Sequence, residues 1–600
     1  MRVWGPALLS LMLAFRPLSA AGEPLQWQSW NKSIFEQAEA EGRFVLLDLE
    51  AVWCHWCHIM EETTYADPEV VALIRERYLP VRVDQDANPD LANRYGPWGW
   101  PATIIFSAQG EELAKMRGYL PPERMASLLQ AFIDDPTPGP SVIEAIEHVP
   151  AQSALLAEDA RKRLQKRFEA SYDDENGGWG TYHKYIDADS MDLALASAEK
   201  GDDRAIAMAR QTLDAALALF DPEWGGVYQY SDQVDWQSPH FEKIMWYQAH
   251  YLRHYSQTYT LWHDRRHLEA ARSIVRYLTT RLWSPAGAFF TSQDADVDAT
   301  TPGRVFYALS DAERRKLGRA PRIDTNIYAR ENGWAISALV AYYSVTNDAD
   351  VLDHAERAAR WVLAHRNLSG GGFAHGPSDR GGPFVGDTLA MGEAGLALYA
   401  ATGKREWLQT ASKAGDFIAE TFKHASGGYV TAKKPAATVG VFAEPSKLIE
   451  EQIALTRFFN RLYRYLGRTT DRAHAEHALR YLLSDTVLDT PRPLPGLLLA
   501  VDEFAHEPTH ITIVGHKDDP KAMALHAAGR AIPALYKRLD WWDKREGRLP
   551  NPDVTYPELE EAAAFACSQR ICSLPTFDAD GLRAAIASMN KHARRESMRH

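Results

Sequence analysis

Apolar and polar positions follow two regimes along the chain. In the first 135 residues, three short runs are almost wholly apolar: Phe44-Val45-Leu46-Leu47-Asp48-Leu49, Leu79-Pro80-Val81-Arg82-Val83-Asp84 and Ala102-Thr103-Ile104-Ile105-Phe106. Runs of this length without a polar face are what strands buried on both sides require. Helix-like residues fill the interval between the first run and Tyr78. Beyond the Pro136-Thr137-Pro138-Gly139-Pro140 linker the period changes. Segments 205–220, 268–282, 351–365 and 406–422 place apolar residues three and four apart, the spacing of one helix face. Helical stretches end repeatedly in a polar loop with glycine and then an apolar or aromatic residue. The instances are Gly177-Gly178-Trp179, Gly225-Gly226-Val227-Tyr228, Gly287-Ala288-Phe289-Phe290, Gly371-Gly372-Phe373, Gly427-Gly428-Tyr429 and, more weakly, Pro495-Gly496-Leu497. Two helices fit between successive loops. Near the end, His510-Ile511-Thr512-Ile513-Val514-Gly515 reads as a strand and 521–538 as a helix.

Six helical hairpins, each with one exposed apolar face, bury those faces by closing into a ring, so an all-α (α/α)6 toroid is predicted. The fold class is therefore multidomain: an N-terminal α/β domain over 22–135, a linker at 136–150, the toroid over 151–505, and a C-terminal α/β element over 506–600 that closes it. The glycine loops should gather at one rim, which with the central hollow is the expected second site. Residues 1–21 carry Arg2, an apolar run from Ala7 to Phe15 and small residues at Ser19, Ala20 and Ala21, the order of a cleaved export signal. That run is too short to span a bilayer, so a soluble periplasmic or extracellular protein is expected.

Composition narrows the function. At 600 residues the chain is too long for one core, and 46 % apolar with 24 % charged residues is ordinary for folded protein. A net charge of -14 without a basic stripe argues against nucleic acid as a partner. The 18 Trp residues serve packing or sugar stacking. The 4 Cys fall into two close pairs, Cys54 with Cys57 and Cys567 with Cys572. In an oxidising compartment close pairs invite disulfides, and the second pair is read as structural.

Strand, Cys-x-x-Cys, helix, strand, X-Pro, strand is the order of a thioredoxin-like domain. At a helix start, free amides and the positive end of the dipole stabilise a thiolate, and cysteines so placed ionise at about 3.5 to 7.5. Cys54 is thus the expected nucleophile, an accessible anion modulated by Trp53, His55, Trp56 and His58. Cys57 would resolve the mixed disulfide. Asp48, buried six residues earlier, is the candidate proton acceptor near the second sulfur. Pro101, after Trp100, is expected as a cis proline opposite the dithiol, where a substrate strand can pair. Three other readings share these cysteines. Cys54 to His58 also spells the attachment pattern of c-type haem, which would not explain Asp48 or Pro101. Zinc would need a fourth ligand that the motif lacks. A purely structural disulfide is the third. No cofactor and no metal are expected.

Trp53-Cys54-His55-Trp56-Cys57-His58-Ile59-Met60, with Glu61-Glu62, Asp67-Pro68-Glu69-Val70, Val83-Asp84 and Gly99-Trp100-Pro101, resembles the family that includes spermatogenesis-associated protein 20 and its bacterial thioredoxin-like relatives. The resemblance extends to Pro239-His240-Phe241-Glu242-Lys243, Ser292-Gln293-Asp294-Ala295-Asp296, Asn332-Gly333 and Gly386-Asp387. The segment between Asp84 and Pro101 is shorter than in that family. Gly118-Tyr119-Leu120-Pro121 and Tyr182-His183-Lys184-Tyr185 depart from its pattern, and Glu331 stands where a Trp is expected. The resemblance implies thiol-disulfide exchange with a protein thiol or disulfide substrate and a redox partner. Related toroids include glycosidases and sugar epimerases, so a carbohydrate ligand follows by analogy alone. Glu242, Asp294, Asp296 and Asp387 are the candidate carboxylates for that chemistry, with His240 and Asn332 beside them. The competing reading is that these acids tie loops to helix starts. A third reading makes the toroid a scaffold that presents the redox domain to a partner.

Overall fold

The computed structural model describes all residues except 1–23, 32, 143–147, 181, 379–380, 434–438, 569–570 and 598–600. The expected export signal at 1–21 lies outside the described residues. The first domain runs β1 (Gln28–Ser29), α1 (Ile34–Glu41), β2 (Phe44–Glu50), α2 (His55–Thr63), α3 (Pro68–Arg77), β3 (Tyr78–Asp84), α4 (Pro89–Tyr95), β4 (Ala102–Phe106), β5 (Glu112–Arg117) and α5 (Pro122–Asp134). Its sheet has the order β1-β3-β2-β4-β5, with β2 parallel to β3 and antiparallel to β4. The three apolar runs are its central strands. Leu46 and Ile105 pack on one face and Leu47 and Ile104 on the other, which is why neither face is polar. This is a thioredoxin-like fold.

The helical part runs α6 (Glu158–Ala170), α7 (Ala188–Glu199), α8 (Asp203–Ala216), then β6 (Tyr230–Ser231), β7 (Pro239–His240) and β8 (Lys243–Ile244) before α9 (Met245–Trp262) and α10 (Arg265–Tyr277). β9 (Ser292–Gln293), α11 (Gly303–Phe306), α12 (Asp311–Leu317) and β10 (Ile323–Asp324) lead to α13 (Ala329–Thr346) and α14 (Ala349–His365). Then come α15 (Val385–Thr402), α16 (Arg405–Thr421), α17 (Ile449–Leu466), α18 (Thr469–Leu482), α19 (Asp485–Leu488) and α20 (Pro495–Ala505). Among the described residues, α7, α9, α13, α15, α17 and α20 each touch the next, and α20 returns to α7. The ring is closed, and α8, α10, α14, α16, α18 and α6 back it from outside. Sequence explains the layering. α15 is apolar nearly all round, as an inner helix must be, whereas α10 keeps Arg265, Arg266, Glu269 and Arg272 on its solvent side.

Three of the glycine loops are pinned by side chains of the inner helices that follow them. Gln248 accepts from Val227 N at 2.9 Å, Asn332 from Phe289 N at 2.8 Å and Gln452 from Tyr429 N at 2.8 Å. Gly226, at φ 79°, is required there, because a Cβ would lie 2.7 Å from the Tyr277 ring. Pro495-Gly496 departs from the expected pattern: it opens α20 rather than forming a loop, and Gly496 is packed against Asp189.

The chain ends in β11 (Thr509–Val514), α21 (Pro520–Arg530), β12 (Lys537–Trp542), β13 (Ala563–Ser568), β14 (Ile571–Cys572) and α22 (Ala579–Ser597), with sheet order β12-β11-β13-β14. The helix expected over 521–538 stops at Arg530, because Pro533 cannot continue it. An irregular turn over 531–536 follows, and Lys537 and Arg538 open β12, paired in parallel with β11. Cys567 and Cys572 face each other across β13 and β14 and are joined as a disulfide.

Candidate active site at the domain interface

Cys54 caps α2, and its Sγ accepts a hydrogen bond from Cys57 N at 3.1 Å. Charge on that sulfur therefore sits against the free amides of the first helical turn. Cys54 and Cys57 form a disulfide. The Trp100–Pro101 bond is cis, as expected, and Trp100 lies 6.0 Å from Trp53 between ring centroids. Asp48 is 2 % exposed on β2, opposite Arg82 of β3, whose Nε donates to it at 3.0 Å. Arg82 also reaches Glu50 at 3.3 Å and Glu61 at 2.8 Å. Burial pushes the Asp48 carboxyl up to about 6 against the pull of Arg82, and burial with the Asp48 charge takes Glu50 to about 8. Arg82 was missed in the sequence because only cross-strand register places it on Asp48; its sole local signal is a cation inside an apolar strand.

One expectation is overturned. Cys54 is not an accessible anion site: it is 3 % exposed and Cys57 is 5 % exposed. The toroid rim covers them. Ile244 packs on the cluster of Ala51, Trp53, Cys54 and Cys57, and Arg322 donates to Val52 O at 3.4 Å. His55 bonds Asp296 Oδ2 through Nδ1, while its backbone N donates to Glu242 Oε1 at 3.4 Å. His58 Nε2 stands 3.8 Å from Asp294 Oδ2. Three of the carboxylates read as candidates for sugar chemistry, Glu242, Asp294 and Asp296, are thus brought together against the redox motif. Trp56 remains 42 % exposed beside Tyr119.

Charge follows from this contact. The hydrogen bond that His55 donates to Asp296 raises its imidazole despite partial burial. Burial would raise Asp296, but His55 and the amide of Gly303 more than offset it and hold that carboxyl low. Asp294, buried beside Asp296 and Glu242, is pushed up to about 7, and burial lowers His58.

Of the other candidates, His240 borders this cluster, whereas Asn332 and Asp387 have other partners. His240 stacks on Tyr230 with ring centroids 4.4 Å apart and stands 3.8 Å from Glu242 Oε2. Asn332 is spent on the Phe289 loop and on Tyr328 O at 2.8 Å. Asp387 Oδ1 accepts from Arg330 N and from His375 Nδ1, each at 2.9 Å. His375 Nε2 reaches Asp86 O at 2.6 Å, and Asp86 Oδ2 accepts from Trp53 Nε1 at 2.7 Å. A chain of contacts therefore joins Asp387 to the residue before Cys54. His375, directly after the Gly371-Gly372-Phe373 loop and Ala374, went unremarked because only docking of the other domain brings Asp86 to it.

Comparison with known proteins agrees with the first domain's geometry. Residues 16–134 match the family described as Thioredox_DsbH, a protein of unknown function, DUF255. The chain is 22 % identical over 653 residues to the uncharacterized protein B0495.5 of Caenorhabditis elegans, covering 85 % of this chain and 87 % of that protein. It is 26 % identical over 316 residues to spermatogenesis-associated protein 20 of Mus musculus, covering 46 % of this chain and 40 % of the relative. A 78-residue stretch is 42 % identical to the thiol:disulfide interchange protein DsbD 2 of Pseudomonas aeruginosa, covering 12 % of this chain and 13 % of that one. Among solved structures, the cellobiose 2-epimerase of Bacillus thermoamylovorans is similar with a TM-score of 0.43 at 12 % identity, over 54 % of this chain and 86 % of that one. Among the described residues no helix is long and apolar enough to cross a membrane.

Proposed function

We propose that the protein is an exported thiol-disulfide oxidoreductase acting through Cys54 and Cys57, with its toroid as the scaffold that covers and presents the redox domain. The observation that carries this reading is the disulfide at the start of α2, with Cys54 Sγ on the Cys57 amide and cis Pro101 preceding the neighbouring strand. In the oxidising direction a partner thiolate attacks Cys54 Sγ, the bond to Cys57 breaks, and Cys57 leaves as a thiolate that takes up a proton. A second partner thiolate then attacks the partner sulfur of the mixed disulfide and Cys54 leaves as a thiolate, so the partner gains a disulfide and the dithiol gains two electrons. The reverse sequence reduces a partner. In that reverse direction Cys57 must lose its proton before it attacks the mixed disulfide, and Asp48, ionised above about pH 6, accepts it. Two disulfides and the likeness to DsbD 2 support a periplasmic or extracellular location.

The covered dithiol makes undocking of the redox domain from the rim part of the reaction, and this favours the scaffold reading of the toroid. A sugar-active toroid would leave Glu242, Asp294 and Asp296 open to a ligand, whereas these carboxylates meet His55 and His58. The test is exchange with a disulfide-bonded protein substrate in a glutathione buffer. Cys54→Ser should abolish it and Cys57→Ser should hold a partner as a mixed disulfide; undiminished exchange in Cys54→Ser rejects the assignment.

A further inference from the structure

His58 belongs to α2 of the redox domain, whereas Asp294 and Asp296 follow β9 of the toroid, and the three offer ligand atoms within 4.8 Å of one another. The geometry points to a divalent transition-metal site formed by His58, Asp294 and Asp296, suited to Zn2+, that pins the redox domain to the toroid beside the disulfide.

Several observations converge on it. The 3.8 Å between His58 Nε2 and Asp294 Oδ2 is too long for a hydrogen bond. It is close to the separation of roughly 3.3 Å that two ligands at 2.0 to 2.1 Å take around a tetrahedral zinc. Asp294 is 5 % exposed, and among the described residues only its Oδ1 is hydrogen-bonded, by the amide of Asp296 at 3.1 Å. Glu242, 3 % exposed and joined to the same cluster through the His55 amide, leaves Oε2 without a hydrogen-bond partner among the described residues, with His240 Nδ1 3.8 Å away. Buried carboxylates are ordinarily paired, hydrogen-bonded or coordinated to metal. His58 and Asp294 thus face each other across a gap too wide for a hydrogen bond, with Asp296 alongside, and a dication held by all three would fill it. Asp296 is held in place by His55 and by the amide of Gly303, the outer support that metal ligands usually have. An imidazole with two carboxylates suits zinc better than calcium or magnesium, which prefer all-oxygen sites. Because the ligands come from both domains, bound metal would hold the interface shut and shield the disulfide.

The test uses the full oxidised chain, in which the described cysteines are all disulfide-bonded and offer no thiol to the probe. Isothermal titration with Zn2+ should show one site that His58→Ala and the isosteric Asp294→Asn each weaken at least tenfold. His267→Ala should leave that site intact; it alters the other His/Asp group, with Asp214 and Asp264. Zn2+ should also slow reduction of the Cys54–Cys57 disulfide by a phosphine at least fivefold in the wild type and not in Asp294→Asn. Far-ultraviolet circular dichroism checks that each variant is folded. Absence of a Zn2+ site in the wild type, or a site indifferent to both His58→Ala and Asp294→Asn, overturns the proposal. Binding is read without turnover, so its failure is distinct from failure of the exchange reading.

Discussion

Removing the charge of Asp296 should open the dithiol. The contact between His55 and Asp296 joins the redox motif to the toroid, and Asp296→Asn keeps its shape while losing the ion pair. A hydrogen bond between charged groups contributes about 1.5–3 kcal/mol. The two side chains are 28 % and 12 % exposed, so solvent screening trims this to about 1–2 kcal/mol. At 1.4 kcal/mol per tenfold, the open fraction should rise by about 5- to 30-fold. The assay is reduction of the Cys54–Cys57 disulfide by a water-soluble phosphine at pH 6 with EDTA present, followed by maleimide labelling. A thiol reductant should give the same ratio, because opening precedes both reactions. The pH dependence has a definite sign. His55 is raised, so its contribution is complete below the ordinary imidazole value and is lost as pH climbs through the raised one. Asp296 is lowered, so its contribution holds above the ordinary carboxylate value and fails only in stronger acid. The ratio of variant to wild type should therefore shrink toward one as pH is raised from 6 to 9. A ratio under twofold at pH 6, or one that does not shrink, refutes the idea that this contact gates the disulfide.

Exchange by the wild type should rise through about pH 6 as Asp48 ionises, and Asp48→Asn should flatten that step and cost at least about tenfold above pH 7; a variant with an unchanged pH profile excludes the proton-acceptor role. Asp221→Asn should destabilise the toroid by about 3–5 kcal/mol, since Lys243 and Arg314 would stay buried without their counter-charge; an unaltered urea midpoint would contradict this.

The dithiol, the buried Asp48 and the cis proline were legible in the sequence because each is set by local pattern: an apolar strand, a helix start, an X-Pro step. The ring was legible because its glycine loops recur. What lay beyond reach depends on docking one domain on another. Nothing in the sequence places His55 on Asp296 or His58 on Asp294, so the acids looked like rim groups awaiting a ligand and Cys54 looked open. Asn332 could have been assigned correctly, for Gln248 and Gln452 hold the equivalent position after their own glycine loops. The helix expected past Arg530 was a misreading of Pro533, a breaker visible in the sequence.

The ring is sealed by its two chain-distant ends, α6 backing α20 and α20 meeting α7. The rim that conceals Cys54 is therefore finished only after Ala505 has appeared, whereas the redox domain is complete at Asp134. N-terminal domains fold first as a chain emerges, and at ordinary synthesis rates the interval is on the order of tens of seconds. If the chain folds as it emerges, a finished Cys-x-x-Cys helix stands uncovered through that interval.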